Sequence, residues 1–314
     1  MFLLAMSMEA SILEKYRKAG QIALEAHKLA VNVANEGTPL LDIAEKIEKF
    51  IISRGAFPAF PVNISINEVA AHYTPLPSDG LAVPKGSVLK IDIGVHVDGY
   101  IADTAITIAF DPAWKKLSRA AFDALKSAGE TLRPKRSIYD VSKAISEAIA
   151  RHQYRPIENL TGHKVERYNL HAGKSIPNVP MFEYRLSLVD KGEVFAVEPF
   201  ATNGRGIVED KGWSNIYRVV SVKRVPGEAK LNDALEELWR EFKSLPFAAR
   251  WAIDKGFSQK DLDMLVKHKR LYHYPRLVEI QKGMVAQFED TFIITDSGAT
   301  PIVKVTENFQ YLVE

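Results

Sequence analysis

Lys90-Ile91-Asp92-Ile93-Gly94-Val95-His96-Val97-Asp98-Gly99-Tyr100-Ile101-Ala102-Asp103-Thr104-Ala105 decides how the rest of this chain reads. Asp98-Gly99 is a preferred pair for a two-residue hairpin turn, whose central residues need positive φ. With the turn there, Val97 faces Tyr100, Gly94 faces Asp103 and Asp92 faces Ala105. Directly opposed residues share one face of the pair, as do residues two apart on a strand. Asp92 and Asp103 therefore lie diagonally on one face, with β-carbons roughly 7 Å apart. Gly94 and Ala105 beside them are small, and two carboxylates at that separation can reach a pair of cations ~3.5–4 Å apart. Ile91, Ile93, Val95 and Val97 already supply an apolar opposite face. Taken alone, the hairpin fits a solvated acidic face better than a metal site.

Other interruptions of apolar sequence change that balance. Glu198 sits in Phe195-Ala196-Val197-Glu198-Pro199-Phe200, and Glu289 in Ala286-Gln287-Phe288-Glu289-Asp290-Thr291-Phe292. His163 and His171 lie eight residues apart among the turn-forming residues of Asn159 to Lys174. A single loop histidine is usually polar surface, and either glutamate alone could face solvent from a strand. A buried carboxylate, however, is costly unless a proton or a cation neutralises it. Asp92, Asp103, His163, Glu198 and Glu289 converging would make a cage for two divalent ions. Cobalt, manganese, iron(II) and zinc all accept mixed imidazole and carboxylate coordination.

The 314 residues suffice for one large domain or two small ones. Hydrophobic residues at 46% and charged residues at 25% match an ordinary globular composition. A net charge of +2 offers no concentrated basic face, so direct nucleic-acid binding is not expected. The absence of cysteine excludes disulfides, thiolate ligands and a cysteine nucleophile, and is compatible with a cytoplasmic location. No run approaches the ~20 apolar residues of a membrane span. The run Met1 to Met6 is apolar but too short for a signal peptide and lacks a basic start. It reads as a disordered end, or as the result of a start codon upstream of Met6 or Met8.

Along the chain, apolar spacing predicts a helix from Glu9 to about Ala34 and a second from Thr38, as N-cap, to Gly55. Irregular proline-rich chain is expected from Phe57 to Pro77, and paired strands around Lys90 to Ala109. Asp111-Pro112 starts a third helix to about Ala128, and Ser137 with Asp140 a fourth to about Gln153. A turn-rich stretch to Pro180 precedes a strand from Glu193 to Phe200. Leu231 to Ile253 and Ser258 to His268 read as helices, and strand character returns at Leu277 and lasts to the C-terminus. Helices between two strand-bearing segments read as an insertion in an α+β domain.

Together these segments resemble type 2 methionine aminopeptidases, the form found in archaea and eukaryotes, within the pita-bread metallopeptidases. The matching blocks are Phe60-Pro61 with Ala70 to Pro75, the hairpin 90–105, Asn159 to Lys174, Glu193 to Phe200, and 284–291. The resemblance implies a curved antiparallel sheet covered by helices, formed by 1–212 and 273–314, with 213–272 as the mostly helical type 2 insertion. It implies that Asp92 chelates one divalent ion, that Asp103 and Glu289 bridge two, and that His163 and Glu198 hold the other. It further implies substrate contacts from His72 and His171, pocket walls at Phe60 and Tyr274, and a proton shuttle at Glu198. Ile216 matches less closely. The expected activity is removal of N-terminal methionine ahead of a small second residue by water activated between two metals. Expected partners are nascent polypeptide N-termini, at the ribosome, for a monomeric enzyme. A proline-specific peptidase and a non-catalytic ribosome- or RNA-binding relative are the alternatives on the same fold.

Overall fold

A computed structural model describes residues 8–314, so the apolar run Met1 to Met6 lies outside the described residues. Helix α1 (Ala10–Val33) buries Tyr16, Ala19, Ile22, Ala23, Ala26 and Ala30, the predicted stripe. Helix α2 (Leu40–Ser53) begins later than expected, with Pro39 as N-cap and no side-chain cap. Thr38 is engaged elsewhere. Its carbonyl accepts from Val83 N at 3.0 Å, and Pro39 bridges to Ala82, so neighbouring chain rather than a hydroxyl fixes the entry.

The proline-rich stretch is more ordered than predicted. It holds β1 (Phe57–Pro58), β2 (Asn63–Ile66) and β3 (Val69–Ala71). Pro58 is tolerated because β1 is an edge strand with little need of a ladder N–H. Strands β4 (Val88–Val97) and β5 (Tyr100–Ala109) form the hairpin in the expected register: Val97 opposite Tyr100, Gly94 opposite Asp103, Asp92 opposite Ala105. Asp98 and Gly99 take φ of 53° and 82°, as the turn requires. β2 pairs with the other edge of β4, setting Asn63 opposite Asp92.

Asp111 accepts from Ala113 N at 2.9 Å over a single 3-10 turn, and α3 (Lys115–Thr131) follows. Ser137 caps α4 (Ile138–Arg151) through Asp140 N at 3.2 Å. Apolar faces of α1 to α4 pack into one core with Ile91, Ile93, Val95 and Phe288. That core is the predicted apolar face of the hairpin, so the acidic face points the other way.

Short strands β6 (Arg155–Pro156), β7 (Thr161–Lys164) and β8 (Ser175–Pro177) precede β9 (Val194–Val197) and β10 (Phe200–Thr202). The strand expected from Glu193 to Phe200 is thus two strands broken at Glu198-Pro199. Pro199 has no N–H to continue a ladder. Strand β11 (Val208–Val219) leads into α5 (Ala229–Phe242), β12 (Phe247–Ala248), α6 (Ala249–Asp254) and α7 (Gln259–Lys267). The single helix expected over Leu231 to Ile253 is interrupted where Lys243 takes φ 53° and Pro246 precedes β12. Ser258 and Asp261 form the expected capping box. These helices share an apolar cluster with Tyr217 and Val219 of β11 and Leu271.

Strand β13 (Leu271–Glu279) starts earlier than predicted because it pairs along β11 and then with β3. After β14 (Val285–Gln287), β15 (Asp290–Thr295) and β16 (Gly298–Pro301), the chain ends in helix rather than strand, with α8 (Val305–Asn308). Asp290 accounts for that turn, accepting from Val303 N at 3.2 Å and Val305 N at 2.8 Å. Helix α6 is held to the body by a buried ion pair. Glu48 of α2 meets Arg250 there, and also accepts from Trp251 Nε1 at 2.9 Å and Val62 N at 3.1 Å.

Candidate metal centre

Five different segments deliver the acidic and imidazole groups to one cavity. Asp92 comes from β4, Asp103 from β5 and His163 from β7. Glu198 lies in the break between β9 and β10, and Glu289 between β14 and β15. Backbone pairing sets their relation. Glu289 N donates to Ala105 O at 3.0 Å, His163 lies opposite Ala196, and Asp290 lies opposite Val197. The Thr291 hydroxyl accepts from Asp103 N and donates to Asp103 O, both at 2.8 Å, fixing the backbone of that aspartate.

His163 Nε2 stands 3.5 Å from Asp103 Oδ2 and 3.7 Å from Glu198 Oε1. Ligand atoms of Asp103, His163 and Glu289 all lie within 4.8 Å of one another. Burial pushes the Asp103 carboxyl up to about 7. It also raises Asp92, Glu198 and Glu289 well above the carboxylate range, with the charge of Asp103 as the next cause for each. Burial lowers His163 to about 4, leaving a neutral ring at physiological pH. Among the described residues, Asp92 Oδ1 and His163 Nδ1 have no hydrogen-bond partner and are buried. Mutually repelling oxygens around a neutral imidazole fit a divalent cation, because the cation replaces the protons such a cage otherwise retains.

The remaining predicted residues, His72, His171, Phe60 and Tyr274, line the same cavity, and so does Ile216. His171 lies against His163 with ring centres 4.4 Å apart and the rings tilted by 51°, and burial followed by the neighbouring His163 imidazole lowers it to about 2. His72 takes φ 62° and meets Tyr274 edge-on at 5.3 Å. Burial lowers His72 to about 4. Phe60 lies against Gly94, where an added Cβ would be 2.3 Å from Phe60 Cε1. Gly94→Ala is therefore expected to displace the Phe60 ring, costing about 1–3 kcal/mol of stability. Urea melts together with KM for a methionyl peptide check this. An unchanged KM would mean that Phe60 does not shape the pocket.

Five lining or supporting residues have no role of their own in the sequence analysis: Asn63, Ala71, Leu170, Pro246 and Gln287. Gln287 Nε2 donates to Glu289 Oε2 at 3.1 Å and approaches Glu198 Oε2 at 3.5 Å, steadying both glutamates. Its spacing of two from Glu289 was the available signal. Asn63 and Pro246 reach the cavity only through strand pairing and the break after α5, which local sequence does not show.

Comparison with known proteins places this geometry. The profile of metallopeptidase family M24 matches residues 14–296. The methionine aminopeptidase of Methanocaldococcus jannaschii is 42% identical over 293 residues, covering 93% of this chain and 98% of the relative. Among solved structures, a thermophilic Arx1 superposes with a TM-score of 0.82 at 19% identity, covering 94% of this chain and 91% of the other. The methionine aminopeptidase of Thermotoga maritima superposes at 0.69 with 21% identity, covering 96% of this chain and 100% of that one. At those identities the structural likenesses speak to the fold alone, which is the pita-bread arrangement of helices over curved antiparallel sheet. With the profile spanning most of the chain, the chain belongs to metallopeptidase family M24 and is a divalent-metal aminopeptidase, a hydrolase.

Proposed function

We propose that the chain removes the N-terminal methionine from polypeptides whose second residue is small, with nascent chains emerging from the ribosome as its substrates. The supporting observation is one cavity in which the acid–imidazole cage adjoins a short apolar recess at Phe60, Tyr274 and Ile216. A relative named for this activity covers nearly the whole chain. Two divalent ions of cobalt, manganese, iron(II) or zinc are the resident metals in this reading. Asp92, Asp103, His163, Glu198 and Glu289 would hold them. When bound, such ions neutralise the carboxylates, acidify water and polarise a carbonyl.

The protein's own groups do the rest. Phe60, Tyr274 and Ile216 enclose an unbranched thioether, whose flexibility suits an irregular apolar recess. His72 and His171, both neutral, present N–H donors to the scissile amide and steady the charge developing on its oxygen. Glu198 carries a proton from the attacking water to the departing amine at its carboxylate oxygen. We read 213–272 as the insertion that closes the recess through Ile216 and Pro246, with 1–212 and 273–314 as the catalytic body. A cytoplasmic monomer completes the proposal.

The test is metal-reconstituted enzyme assayed on peptides that differ at the first two residues. Met-Ala-Ser should be cleaved well, and Met-Leu-Ser and Leu-Ala-Ser poorly. His72→Ala should lower kcat on Met-Ala-Ser by about 10²-fold while bound metal is unchanged. Preferential cleavage of Xaa-Pro peptides would replace this reading with proline-specific hydrolysis.

A further inference from the structure

The wall of the cavity continues outward past the residues that line it. On β11, Ile216 lines the cavity, and Arg218, two residues on, shares its face. Across the ladder Arg218 pairs with Tyr272, which is two residues from the lining Tyr274 on β13. Arg218 and Tyr272 thus form the next row of the same wall, about 7 Å farther out at two residues per step. Tyr272 is 44% exposed, so this row faces the mouth. Its ring meets Tyr274 edge-on at 4.9 Å and lies 6.0 Å from the Arg218 guanidinium. Arg218 also contributes to the depressed proton affinity of His171, after burial and the neighbouring His163 and His72 imidazoles, which places it close to the reaction site.

Among the described residues Arg218 has no acidic partner: no carboxylate approaches it within ion-pair distance, and its Nε is buried with no hydrogen bond. Arg250, Arg224 and Arg167 are by contrast all paired with acids. The depression beside Arg218 adds Lys223, Ser244 and the apolar faces of Val220, Val222 and Trp239, with no acidic residue. A half-buried guanidinium without an acidic partner can take a carboxylate through its Nη groups.

We propose that Arg218 binds a carboxylate of the substrate polypeptide beyond the scissile bond, giving the enzyme a preference for acidic sequence near the third residue. The position follows from distance. A substrate held with its first residue in the recess advances ~3.3 Å per residue, so its third residue reaches the Arg218 row. This specificity rests on the aminopeptidase reading above. The carboxylate comes from an acidic side chain at that position or from the free C-terminus of a short peptide.

Four peptides separate the sources: Met-Ala-Glu-Ser against Met-Ala-Gln-Ser, both C-terminally amidated, and Met-Ala-Ser as free acid against its amide. In the wild type the acidic member of at least one pair should have the higher kcat/KM, mainly through KM. Arg218→Met should reduce that ratio about tenfold or more, matching the ~1.5 kcal/mol at the low end for a hydrogen bond to a charged group. Arg218→Lys should restore part of it. Loss confined to the first pair assigns the side chain, and loss confined to the second assigns the terminus. Ratios identical in wild type and Arg218→Met, including an equal fall on every peptide, would overturn the proposal. Failure of the wild type to cleave any of the four would instead defeat the aminopeptidase reading.

Discussion

Asp103→Asn and Glu289→Gln, made separately, should each lower metal-dependent release of methionine from Met-Ala-Ser by about 10³-fold or more. Loss of one group that stabilises transition-state charge already costs about 10²–10³ in kcat. Both residues also serve the metals, so occupancy should fall with turnover. The fold should not suffer. Each amide keeps the side chain's volume, and Thr291 holds Asp103 through its backbone rather than its carboxylate. Each amide also removes one charge from a cluster in which burial and neighbouring carboxylates oppose ionisation. The metal-free variants should therefore melt at or above the wild-type temperature while being inactive. Near-normal turnover in either would remove its carboxylate from the metal set.

A second large effect concerns how metal stabilises the protein as pH rises. In the metal-free protein Asp103 titrates near 7, and Asp92, Glu198 and Glu289 are raised as well. A carboxyl whose folded pKa lies above its unfolded value stabilises the fold below the unfolded value. That stability is lost as pH climbs through the folded value. Between pH 6 and 8 the empty cage is thus progressively strained. A cation that displaces those protons binds more tightly over the same interval, by about 1.4 kcal/mol per displaced proton per pH unit. His163 does not reverse the sign, because it is lowered to about 4 and already neutral there. Lys90 is lowered to about 7 and Asp290 raised to about 7, but neither belongs to the proposed ligand set. The increase in Tm on adding cobalt or manganese should therefore be several degrees larger at pH 8 than at pH 6. Calorimetry in buffers of different ionisation enthalpy should register proton release on binding. A Tm increment independent of pH would mean that the cage binds metal without surrendering protons.

Legibility differed sharply between local and distant features. The hairpin could be read to the residue because Asp98-Gly99 fixes its register and period-two alternation then assigns every face. Caps at Ser137 and Ser258 were equally plain, since the acceptor and donor lie three residues apart. The errors arose where tertiary pairing competes with local preference. Thr38 resembles a cap, yet the backbone at 81–83 claims that segment. Pro199 splits one expected strand into two and Pro246 stands where one expected helix becomes two, since proline has no N–H to continue a ladder or a helix. In the site, the four carboxylates stand out as polar groups inside apolar runs, whereas His163 is an imidazole among turn residues. Arg218 offered no such signal, because its meaning depends on Tyr272 across the ladder and on the absence of any acid beside it.

The most direct measurement is anomalous diffraction from crystals grown with manganese or cobalt. The account predicts two anomalous peaks, each within coordination distance of side chains from Asp92, Asp103, His163, Glu198 and Glu289. Asp103 and Glu289 should touch both. Crystals equally rich in metal that show no peak at this cage, with the carboxylates still protonated and paired to one another, would contradict it.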